Sequence, residues 1–315
     1  MNSIFDKFKI FFSQQPLSHS AVQVTSSHIS GVHLSSKDKI LKNHFILPLS
    51  GGVIQPSFEK ANIKDLILLE KQIREGAEKF STYSRGTALL LPELSQRTFV
   101  FSFDSLPAAS REREQLIRFR VKKQMPLLAD DVRISYDVVQ AENKNKNKKR
   151  VVLTLAWTSV VNEYENFFSR LQLKIRLVGV PILALAYLID PRKEKNFFLI
   201  NIERDSFGLL AVVDSEIFLY RQKSLLEGRR EGRFAESVQN VVQEIENTAQ
   251  FIQDKVKREM ACIWVRFGLL EPELDFFSQL ESTLGFPVKR AESLVNFRLH
   301  EQEKRILAPL LGQLQ

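Results

Sequence analysis

A two-lobed α/β fold carrying an inserted β-rich subdomain is what the sequence predicts, on three observations. An order of three closely spaced strands, then helix and strand, occurs twice, first from about residue 21 and again from residue 197. Between the copies, from Arg97 to about Ile189, strands and helices come in a different order. At 315 residues and 44% hydrophobic, the chain is long enough for roughly two domains at about 150 residues each and apolar enough to fill their cores. Its 24 Phe against 5 Tyr and 2 Trp favour packing over hydrogen-bonding roles.

At the N-terminus, Ile4, Phe5, Phe8, Phe11 and Phe12 recur at three- and four-residue steps, predicting an amphipathic helix over 1–16 that ends near Gln15-Pro16. Its Phe5, Phe8 and Phe12 face packs on the chain's own domain or rests on a membrane surface or partner. The first lobe's N-terminal part, 17–94, opens with AVQVTSSHISGVHL, a strand, a Thr-Ser-Ser turn and a second strand. Asn43 to Pro48 adds a third strand, Ile63 to Ile73 a helix, and Ala88 to Leu91 a strand ending at Pro92.

The insert is expected over 95–175. TFVFSF reads as a strand; Ser110 caps a helix with Glu112 and Glu114 in its first turn and Lys122 and Lys123 in its last, as the helix dipole favours. Met125-Pro126 stops that helix. VRISYDVV and VVLTLAW are strands joined by the loop NKNKNKKR, then come a helix to Gln172 and a strand to Val180. A connecting helix in 176–196 returns to the first lobe. The second lobe and C-terminal helix fill 197–315: FFLINIE, GLLAVV and EIFLYRQ are strands, Phe234 to Arg258 a helix with one apolar stripe, CIWVRF a strand, Leu274 to Leu284 a helix closed by Gly285, and FPVKR a short last strand.

Composition and motifs narrow the function classes. The single cysteine, Cys262, excludes an internal disulfide and a multi-cysteine metal site, and fits a reducing cytoplasm. Five basic residues of the loop 143–150 supply most of the net charge of +8, so the excess is a basic loop, a solvated tip or a phosphate-contacting one, not a basic face for specific nucleic-acid binding. The longest apolar stretch, Val178 to Ile189, is too short to span a bilayer and contains Pro181. No HExxH, GxSxG, GxGxxG or GxxxxGK[ST] occurs. No metal, cofactor or catalytic constellation is expected.

From Thr87 the run TALLLPELSQRTFVFSFDSLP, then EREQLIRFRVKKQMPLLADDVRISYDVV and SVVNEYENFFSRLQLKIRLVGVPILALA, resembles the PilM-like type IV pilus assembly proteins of the actin-like superfamily. The resemblance runs from about Ala21 to Leu310. It implies a two-lobed actin-like (ribonuclease H-like) fold and a role as scaffold on the inner face of the inner membrane, cytoplasmic, holding the N-terminal tail of a PilN-like bitopic protein. Arg118, Phe119, Gln124 and Pro126, which carry the resemblance, are the candidates for the groove that takes this tail. An actin-like ATPase related to PilM or FtsA and a GspL-like type II secretion scaffold are the alternatives.

Three loops bind nucleotide in that superfamily, two of them hairpins with an Asp for the metal and a Gly for close approach to phosphate. The corresponding first hairpin here runs from Gln23 through Thr25, with neither Asp nor Gly. The second has Asn201 and Glu203, and a Glu at the glycine position opposes phosphate. The adenosine loop keeps only Gly268 of its glycine run. The resemblance therefore implies a degenerate nucleotide site without conventional Mg-ATP binding.

Overall fold

The computed structural model describes residues 18–35, 37–81, 86–128, 130–140, 149–190, 192–225, 234–268 and 275–315. The predicted helix over 1–16, with Phe5, Phe8 and Phe12, and most of the basic loop lie outside these residues.

Two five-stranded sheets share one topology. In the first, β1 (Ser20–Val24), β2 (His28–Leu34) and β3 (Leu41–Pro48) form a meander, and β4 (Thr87–Leu90) and β8 (Ile175–Gly179) add in parallel, in the order β3-β2-β1-β4-β8. In the second, β9 (Phe197–Ile202), β10 (Ser206–Val213) and β11 (Glu216–Ser224) form the meander and β12 (Cys262–Phe267) and β13 (Val288–Arg290) the parallel pair, in the order β11-β10-β9-β12-β13. The strands β9, β10 and β12 are buried along their whole length, as both faces of each sheet are covered.

Each sheet turns one face outward onto helices. The first packs Val22, Ile29 and Leu89 against α1 (Leu66–Ser81) and α3 (Thr158–Arg170). The second packs Phe198, Ile200 and Ile263 against α5 (Phe234–Val256) and α6 (Asp275–Leu284). The inner faces meet in a single core that joins Ala21, Val32 and Leu90 to Leu199, Leu210 and Trp264 through α4 (Pro181–Ala186) and α7 (Glu301–Gln313). Helix α7, grouped with the second lobe by its place in sequence, packs on α4 and on β2 of the first. A Cβ on Gly312 would overlap the carbonyl of Ala184, so glycine sets how closely these helices approach.

The insert is a three-stranded sheet, β5-β7-β6, of β5 (Arg97–Phe103), β6 (Val132–Gln140) and β7 (Lys149–Trp157), with α2 (Ser110–Gln124) laid across it through Ile117 and Val121. The expected insert, 95–175, extends past this sheet. Helix α3 and strand β8 belong to the first lobe, because Tyr164, Phe167 and Phe168 bury on that lobe's outer face. Edge strand β5 runs beside β11 of the second lobe. Arg150 of β7 donates to Glu216 at 3.1 Å, and its guanidinium stands 5.2 Å from the centre of the Phe218 ring. The insert therefore touches both lobes. Among the described residues no helix is long and apolar enough to cross a membrane.

Asn62, fully buried, ties the loop before α1 to the insert's root. Its amide donates to the carbonyls of Ser57 at 2.9 Å and Lys60 at 2.7 Å, and its oxygen accepts from Ser95 at 2.5 Å and Tyr164 at 3.2 Å. Asn62→Ala leaves these buried groups unpaired and is expected to cost about 2–3 kcal/mol. Urea unfolding checks this, with a lower midpoint at an unchanged slope.

Candidate functional site

Two of the loop positions singled out in the sequence, Asn201 and Glu203, converge on one residue, Arg266. It sits near the end of β12 and is completely buried. Its guanidinium donates to the Glu203 carboxylate, to Asn201 Oδ1 at 2.9 Å, to the carbonyl of Arg305 at 2.9 Å and to that of Ile306 at 3.0 Å. The Arg305 carbonyl is available for a specific reason: its helical partner is four residues on, at Pro309, which has no N–H. A proline inside α7 thus frees an acceptor that the arginine takes.

Glu203 fills the space around Gly268. A Cβ at position 268 would overlap the Glu203 carboxylate, so this glycine leaves room for a protein side chain. Gln23 of β1 donates to the same carboxylate at 3.3 Å, tying the first lobe to the second hairpin. Burial pushes the Glu203 carboxyl up and the neighbouring Arg266 charge pulls it back. The Glu203 charge is met internally by Arg266, and its carboxylate occupies the space beside Gly268 rather than facing an open site.

The first hairpin is closed by Thr25. Its hydroxyl accepts from the backbone N–H of His28 at 2.9 Å and of Ser27 at 3.2 Å, the work of an Asx- or ST-type turn. His28 is fully buried, its Nδ1 lying 3.0 Å from Thr25 Oγ1, and burial with the charge of Arg266 lowers its pKa to about 3. It is a neutral core histidine. Cys262, also buried, has its thiol pushed up to about 11 by burial and the adjacent Glu194, which makes it a poor nucleophile.

Two of the cavities among the described residues bear on a binding role. One, of about 430 Å³, opens between the two hairpin turns and the loop before α1, and Ser26, Lys60, Lys64, Arg204 and Asp205 are among its walls. Its cations suit an anion while Asp205 opposes one, and at the positions where the resemblance leads one to expect Asp and Gly the second hairpin has Asn201 and Glu203. The other, of about 270 Å³, is a groove between the insert and the first lobe, with Ile134, Leu155, Val161, Val178 and Leu183 as apolar walls and Arg133, held by Glu165 at 2.8 Å, at its side.

None of Arg118, Phe119, Gln124 and Pro126 lines this groove. They lie on α2 and its stop: Arg118 pairs with Glu114 at 3.0 Å, Phe119 is 58% exposed beneath Lys123, and Gln124 and Pro126 are exposed. Sequence reasoning puts the groove on the stretch whose sequence is most distinctive. The cavity between the insert and the first lobe is assembled from five separate elements, β6, β7, α3, β8 and α4, that no local motif marks. Arg266 leaves a trace, as a cation within the apolar strand CIWVRF.

The Arg266–Glu203 pair makes a quantitative expectation. Arg266→Met strands a buried carboxylate and should cost about 3–5 kcal/mol, whereas adding Glu203→Gln should restore part of the loss. A double-mutant cycle by chemical unfolding reads the coupling; additive losses would show that the pair does not hold the centre together.

No family model matches the chain, and no curated protein matches it in sequence. Solved structures do match in shape. One from a PilM-PilN type IV pilus biogenesis complex has a TM-score of 0.77 at 15% identity, covering 95% of this chain and 100% of the other. A Bacteroides thetaiotaomicron protein with an actin-like ATPase fold has a TM-score of 0.55 at 10% identity, covering 95% and 97%. The cytoplasmic domain of EpsL, an inner-membrane component of the Vibrio cholerae type II secretion system, has a TM-score of 0.52 at 10% identity, covering 93% and 94%. With its two sheets of one topology and the insert between them, the chain has the actin-like ATPase fold.

Proposed function

We propose that this protein is a scaffold of a type IV pilus or pilus-like secretion assembly, acting at the inner face of the inner membrane. It holds the N-terminal tail of a PilN-like bitopic protein and does not turn over ATP in the conventional way. The observation that carries this reading is the groove between the insert and the first lobe. Its two rims are edge strands, β6 of the insert and β8 of the first lobe, each paired on one side only among the described residues. An extended segment can hydrogen-bond to such edges through its main chain while its apolar side chains fill the walls, so capture needs no bond-making step. The shape likeness to a chain of a PilM-PilN complex supports the same partner class, and that to EpsL supports a secretion-system counterpart.

The reading that the protein lacks conventional ATPase activity rests on the Glu203 carboxylate, held by Arg266, that fills the space beside Gly268. A noncanonical nucleotide site is the second reading, favoured by the cationic cavity with Lys60, Lys64 and Arg204.

Titration calorimetry with ATP and magnesium is expected to give no binding in the micromolar range. Micromolar affinity with hydrolysis would replace the scaffold reading by the second. For the tail, fluorescence titration of N-terminal peptides from bitopic proteins encoded nearby should show one that binds. Ile134→Glu, on the groove wall, is expected to weaken that peptide at least tenfold. Arg118→Glu and Phe119→Ala compare the α2 face; a loss confined to these would move the tail onto α2.

A further inference from the structure

The groove and the second lobe share a joint. The short turn Pro92–Gln96 links β4 to β5, and Gln96 stands in the groove's lining. From the other side, Gln222 of β11 donates its amide to the carbonyls of Glu93 at 3.1 Å and Gln96 at 2.9 Å. With its nitrogen committed to those two carbonyls, its Oε1 faces Tyr220, 3.1 Å from the hydroxyl. The Tyr220 hydroxyl is also 3.0 Å from Glu93 Oε2.

The hydroxyl has one hydrogen and two acceptors in reach. If Glu93 is ionised, Tyr220 donates to it and Gln222 Oε1 lacks a donor. If Glu93 carries a proton, its O–H donates to the Tyr220 oxygen and Tyr220 donates to Gln222 Oε1, which fixes the amide whose nitrogen holds the turn. Only the protonated form completes the chain.

The surroundings favour that form. Glu93 is 1% exposed, and burial raises its pKa to about 7. Tyr220 and Asn201, the latter donating at 3.4 Å, and the charge of Arg266 favour the anion, while Glu203 opposes it. Arg97 of β5 acts on Tyr220. Uncharged Gly208 of β10 also faces the carboxylate, a Cβ there falling 2.9 Å from Glu93 Oε1 and 3.3 Å from Ile182 of α4.

We propose that Glu93, Tyr220 and Gln222 form a proton-dependent joint through which the second lobe positions the wall of the tail-binding groove. These are positioning residues, and their link to the tail rests on the scaffold reading. The joint is firm when Glu93 is protonated and loosens as pH rises. Because the folded pKa lies above that of the unfolded chain, stability from this group is full below about pH 4.5 and lost as pH rises through about 7. His28, held neutral, pulls the other way below its usual 6.5, so comparison with a variant isolates Glu93.

The test measures the full chain, Glu93→Gln and Tyr220→Phe at pH 6 and pH 8. Hydrogen exchange of residues 92–97 and 216–224, corrected for intrinsic rates, should rise several-fold in the parent between the two pH values. It should be flat in Glu93→Gln and fast at both in Tyr220→Phe. Tail peptides are titrated in parallel, with affinity expected to fall several-fold from pH 6 to 8 in the parent alone. Equal exchange profiles for parent and Glu93→Gln overturn the joint. A pH-dependent joint with no peptide bound leaves the joint standing and sinks the scaffold reading; peptide binding that ignores pH, with the joint intact, overturns its control of the groove.

Discussion

The arrangement between the lobes depends on a buried guanidinium. Arg266 is inaccessible to solvent, and such a charge is tolerated only where carboxylate and carbonyl acceptors surround it. Its acceptors come from three places: Asn201 in β9, Glu203 just beyond that strand's end, and α7, where Pro309 leaves a carbonyl open. Removing any one member exposes the cost of burying the others. The composition of each loop is therefore constrained by the rest.

The constraint also ties the two hairpins to each other. A glycine in place of Glu203 would empty the space beside Gly268 but strand Arg266. An Asp in place of Gln23 would lose the amide donor now serving Glu203 and add a second carboxylate beside it. Changes at single positions are unfavourable from either direction, so the pattern stands or falls as a set.

Much of the fold is legible in the sequence because the signals are local. The strands of both meanders read from short apolar runs bounded by turns, and α5 from its stripe. Three things are not. The packing of α7 on the first lobe is invisible to periodicity, which marks an apolar face without naming the sheet that covers it. The insert ends earlier than the sequence suggests, because α3 comes after β7 without a break in composition, and only burial of Tyr164 and Phe168 assigns it to the first lobe. The site's chemistry is half legible: the missing Asp and Gly are plain, but Arg266 and Glu203 are 63 residues apart, so their pairing has no local sign.

The lobes of this molecule are held differently from those of a cleft that a ligand closes. Such a cleft gains stability that scales with ligand concentration. Here the groups that join the lobes are covalent parts of the chain: Gln23 to Glu203, Arg266 to α7, and Gln222 to the turn at the root of the insert. Their effective concentration is fixed, so the strength of these contacts does not scale with the concentration of a ligand. An inter-lobe contact held this way keeps the rims of the groove, β6 on the insert and β8 on the first lobe, in one relation. That permanence suits capture of an extended segment, since a preformed site spends less of its binding energy on ordering itself.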